Sequence, residues 1–106
     1  MPRKFSLSRA DFAKTRAFRR LAGPSLSLSF GIITGRPVPG GAVVVSKKVA
    51  KSAVTRNRLK RALRPVLIGF LRHGTPSLVV TVRKSVPSRD LRTELEGLLA
   101  KVPLSP

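Results

Sequence analysis

The sequence predicts an α+β fold (an α/β sandwich), with helices packed on one small sheet in the order α-β-β-β-α-β-α. Three observations carry this prediction. Ser25–Ile33, SLSLSFGII, alternates large apolar with small residues, the pattern of a strand with one buried face. Ala42–Ser46 and Leu78–Lys84 are short runs rich in valine. Two longer stretches, one after Ser52 and one after Pro87, repeat apolar residues at helical spacing. A chain of 106 residues that is 42% hydrophobic makes one folded domain over 1–106, with a modest core.

In chain order, Met1–Leu7 is basic and reads as a flexible arm. Ser8 reads as an N-cap with Asp11 at N3, and Leu7 and Phe12 as a hydrophobic staple, opening a helix to about Ala17. Phe18–Leu21 is a short edge strand ended by Gly23-Pro24. In the next strand Leu26, Leu28, Phe30 and Ile32 face the core. Ser25, Ser27, Ser29 and Gly31 leave the other face small and polar, open to close approach. Gly35–Gly41, with two prolines, reads as a hairpin loop, and Ala42–Ser46 as a buried central strand. Ser52 caps the long helix, whose apolar side carries Leu59, Ala62, Leu63, Val66, Leu67 and Phe70. Pro65 must kink that helix or end its first segment near Arg64. His73-Gly74 closes it. The last helix opens at Pro87-Ser88 and buries Leu91, Leu95, Leu98, Leu99 and Val102.

Charge narrows the function. The net charge is +18, and no acid lies between Phe12 and Arg89. Ser46–Arg64 holds eight basic residues, Lys47, Lys48, Lys51, Arg56, Arg58, Lys60, Arg61 and Arg64. Arg56, Lys60 and Arg64 form one ascending row about 12 Å long, with Asn57 and Arg61 beside it and Arg58 further round. A solvated helix face normally mixes signs, because like charges four residues apart repel. An uncompensated row therefore points to an external polyanion. The basic middle of the chain has no carboxylate pair for metal or acid–base work. The absence of cysteine excludes disulfides and thiol chemistry, and no run is long and apolar enough to span a bilayer. A cytoplasmic location is the resulting expectation. The lone His73 suits a helix C-terminus and is given no chemical role.

The run SKKVAKSAVTRNRLKRALR resembles the signature of the bacterial ribonuclease P protein component. Asp11-Phe12 on the first helix and Val82-Arg83-Lys84 after the long helix agree with that family. The resemblance implies a sheet of about four strands and an unusual left-handed crossover between two parallel strands flanking the long helix. It implies a subunit of an RNA-based endoribonuclease that removes the 5′ leader of precursor tRNA. The resemblance further implies that magnesium ions held mainly by the RNA would do the hydrolysis, with no catalytic side chain and no tightly bound metal on the protein. Its partners would be the catalytic RNA and precursor tRNA, with no membrane and no obligate protein partner. By position, Lys47, Lys48, Lys51, Arg56, Asn57, Arg58, Lys60, Arg61 and Arg64 become contacts to the catalytic RNA. Phe12, Lys14, Arg16, Ser27, Ser29, Arg83 and Lys84 become the cleft for the leader. Arg16 stands where the family usually has a second aromatic, so charge replaces some stacking here. A ribosomal or other structured-RNA-binding protein without a catalytic role satisfies the same composition, and a duplex DNA reader also fits a basic helix.

Overall fold

The computed structural model describes Leu7, residues 9–33, Gly35 and residues 38–102, with Arg9 and Phe12 described by backbone only. The Ser8 cap, most of the basic arm and the side chain of the Leu7–Phe12 staple therefore lie outside the described residues. Helix α1 spans Arg9–Ala13 and tightens into a 3₁₀ turn over Lys14–Ala17. Strands β1 (Arg19–Ala22), β2 (Leu26–Gly31) and β3 (Gly41–Val45) follow. Helix α2 covers Ala53–Arg72, β4 covers Ser77–Val82 and α3 covers Ser88–Leu99. The predicted order of elements holds.

The sheet runs β1-β2-β4-β3, with β3 parallel to β4 and the other pairs antiparallel. Two expectations change here. Gly35–Gly41 is not a hairpin loop, because β4 lies between the strands it joins. Nor is β3 central: it is an edge strand, and Val44 is exposed. The parallel crossover through α2 returns the chain beside β3, so β4 takes the inner place, where Leu78, Val79 and Val80 are all buried. Ser77 fixes this junction. Its hydroxyl accepts the Gly40 N–H at 3.1 Å, and Leu78 N–H donates to the Gly40 carbonyl at 2.9 Å.

One face of the sheet forms the core. Leu26, Leu28, Val43, Val45, Leu78, Val80 and Val82 meet Leu59, Leu63, Leu67 and Leu71 of α2 and Leu91, Leu95, Leu98 and Leu99 of α3. Each fully buried leucine of this set contributes about 1.5–3 kcal/mol over exposure. Gly41 permits the close approach of α2, since a Cβ there would lie 3.0 Å from Leu71 Cδ1. Pro65 does not end α2, which continues to Arg72. The carbonyl that loses its partner belongs to Arg61, and both residues are exposed, so water can satisfy it. The helix stops as expected, with His73 at the C-cap and Gly74 at a φ of 90°.

Candidate nucleic-acid interface

The crossover into α2 sets the first surface. A turn closes where Val49 and Ala50 N–H groups donate to the Ser46 carbonyl, and it holds Lys47 and Lys48 exposed at its corner. Ser52 Oγ accepts the Thr55 N–H and starts the helix, with Lys51 exposed just before it. Arg56 points back rather than out. Its Nη1 donates to the Ala50 carbonyl at 2.9 Å and the Lys51 carbonyl at 2.8 Å. Arg56 shares the helix side of Leu59 and Leu63, so before the core begins its guanidinium falls on the crossover backbone.

The outermost cations are accordingly Arg58 and Arg61, not the Arg56–Lys60–Arg64 row. With Val54 and Asn57 they line an open concavity of about 260 Å³. Lys60 and Arg64 are half-buried on the flank. Val54 is 68% exposed in the middle of this charge, a feature that polarity-based reading passes over. None of the cations of α2 has an acid partner among the described residues.

The second surface is the sheet face away from the core. Register aligns Arg20 with Ser29 and Val79, and Ala22 with Ser27 and Thr81, with Ala42 and Val44 completing the rows. Phe18 lies over Gly31, where a Cβ would come within 2.5 Å of its ring, so the glycine makes room for the aromatic. Ser27 is only 5% exposed, which removes it from direct contact, whereas Ser29 is half-buried. Lys14 and Arg16 are exposed on the 3₁₀ turn, and Arg83 and Lys84 are exposed where β4 ends. Phe12 has its backbone in α1, and its side chain lies outside the described residues. Arg20 and Thr81 join this face only through strand register, which composition does not reveal.

The two surfaces differ in kind, a cationic helix side with an open concavity and a small-residue sheet face with cations at its ends. Among the described residues no three His, Cys, Asp or Glu side chains gather as metal ligands. His73 lies in a groove of about 410 Å³ between α2 and α3, with Pro65, Val66, Gly69, Phe70 and Glu96. Among the described residues no helix is long and apolar enough to cross a membrane.

Known proteins are similar to this chain in sequence and in fold. The family model for ribonuclease P matches residues 1–103. A ribonuclease P protein component from Pseudanabaena sp. is 41% identical over 99 residues, covering 88% of this chain and 85% of that protein. One from Synechococcus sp. is 33% identical over 116 residues, covering 97% of this chain and 84% of that protein. In fold, the Staphylococcus aureus RNase P protein superposes with a TM-score of 0.77 at 22% identity, over 92% of this chain and 96% of that one. The Thermotoga maritima RNase P protein, solved with a fluorophenyl thiourea, gives 0.69 at 21% identity, over 90% and 96%. The cationic crossover helix, the four-stranded mixed sheet and these relatives lead to one assignment: the chain belongs to the ribonuclease P protein family, as the protein subunit of an endoribonuclease of tRNA processing.

Proposed function

We propose that the two surfaces hold two RNAs. The α2 face, through Lys47, Lys48, Lys51, Asn57, Arg58, Lys60, Arg61 and Arg64, binds the catalytic RNA of ribonuclease P. Arg56 supports it mainly by shaping the crossover. The outer sheet face takes the single-stranded 5′ leader of precursor tRNA, with Phe12 offering a stacking surface and Lys14, Arg16, Arg83 and Lys84 meeting phosphates. Ser29 lies on the floor, and Ser27, two residues along on the same face, is too buried to touch the RNA. Magnesium ions held mainly by the RNA carry out the hydrolysis, and the protein contributes placement and charge. It acts in the cytoplasm without an obligate protein partner.

The observation that carries this reading is the cationic side of α2, with Arg58 and Arg61 exposed and Lys60 and Arg64 on its flank, and with no acid paired to any of them among the described residues. Reconstitution tests it. Purified protein added to matching catalytic RNA and precursor tRNA at low magnesium should restore cleavage at the mature 5′ end, and protein alone should give none. No restoration, or cleavage by the protein alone, contradicts it.

A further inference from the structure

The four acids of the chain are not equivalent. Asp90 and Glu96 are exposed on α3, but Glu94 turns toward the sheet. Its carboxylate accepts the Ser25 N–H through both oxygens, at 3.0 and 3.2 Å, and the Leu26 N–H through Oε2 at 2.8 Å. Amides held by an ionised acceptor make stronger bonds than neutral pairs, and here they spend the negative charge inside a very basic protein. The approach needs a glycine beside it. A Cβ on Gly23 would lie 2.6 Å from Glu94 Oε2 and 3.0 Å from the carboxyl carbon. Gly23 N–H in turn donates to the Leu26 carbonyl at 2.8 Å and closes the turn before β2.

Ser25 is therefore held on both sides. Glu94 fixes its N–H, and its carbonyl accepts the backbone N–H groups of Arg83 at 2.8 Å and Lys84 at 3.0 Å. Those two amides belong to the residues whose exposed cations leave the end of β4. We infer that Glu94 is a positioning residue for leader binding: through Ser25 it fixes where Arg83 and Lys84 depart from the sheet. The inference rests on the assignment of Arg83 and Lys84 to the leader. Its physical basis is preorganisation, since a cation on a fixed backbone loses less freedom when it meets a phosphate.

The test uses holoenzyme assembled from the full chain and matching ribonuclease P RNA. It reads the ratio of affinities for precursor tRNA with a long leader and with a single-nucleotide leader. Glu94→Ala should lower that ratio by about threefold or more, as expected for losing a charge-assisted contact. Gly23→Ala, which displaces the carboxylate without removing it, should act in the same direction. Glu94→Gln keeps one acceptor oxygen and should fall between, and it carries the test if Glu94→Ala does not fold. Adding Glu94→Ala to an Arg83→Ala/Lys84→Ala protein should lower the ratio no further, because the three act as one unit. A folded Glu94→Ala with the wild-type ratio, or with equal losses on both substrates, overturns the inference and leaves only a structural clasp. If Arg83→Ala/Lys84→Ala itself keeps the wild-type ratio, the leader assignment is wrong and the inference falls with it.

Discussion

At the scale of single residues, Arg56 and Arg61 separate two jobs that composition merges. Arg56 bonds the Ala50 and Lys51 carbonyls, while Arg61 stands exposed beside Arg58. Arg56→Ala should lower stability by about 1 kcal/mol, the low end for charge-assisted bonds because the side chain is half exposed. Arg56→Lys should recover only part, since an ammonium lacks the planar fork of the guanidinium. Urea unfolding measures both. Arg61→Ala should leave the unfolding midpoint in place and weaken binding of the catalytic RNA, with the salt slope smaller by about one. Phe12→Ala should weaken only substrates with a leader of several nucleotides, by about 1–2 kcal/mol if one base stacks there. Equal loss for a single-nucleotide leader would make Phe12 a core residue. The basic stretch and its Asn57 were legible in the sequence. That Arg56 folds back was not, because it depends on where the crossover carbonyls lie in space.

At the scale of elements, sequence pattern placed the helices and strands in order and the apolar stripe of α3 is buried, but Ile32, expected to face the core, lies past the end of β2 and is 76% exposed. Pattern did not set strand order. Val43 and Val45 look like central-strand residues because α2 covers their face, yet the opposite face of β3 leaves Val44 exposed. A run of valines records how many faces are buried only when the neighbouring strands are known. The inward turn of Glu94 was hidden for a similar reason, as its partners lie 68 and 69 residues away. Pro65 shows a local rule relaxed by context, since the Arg61 carbonyl it leaves unpaired belongs to an exposed residue that water can reach. Pro65→Ala should restore that hydrogen bond and raise stability by about 1–3 kcal/mol. A lower unfolding midpoint would mean that the proline ring, which lines the groove with Val66 and Phe70, contributes packing that outweighs the bond.

At the scale of the whole molecule, charge and chemistry divide between protein and RNA. His73, Asp90 and Glu96 are exposed on or beside the helices, away from the sheet face proposed for the leader. His73→Ala combined with Asp90→Asn and Glu96→Gln should keep RNA-assisted cleavage within a few-fold of wild type. Loss by orders of magnitude in a folded protein would place chemistry on these side chains. The central claim is that the eight basic residues of Ser46–Arg64, none with an acid partner among the described residues, are matched by the phosphates of the catalytic RNA. The dependence of that binding on salt tests it most directly. If about six to eight phosphates are neutralised, log K against log salt should fall with a slope of about −4 to −7. A slope shallower than about −2 would show the cations to be spectators and contradict the claim.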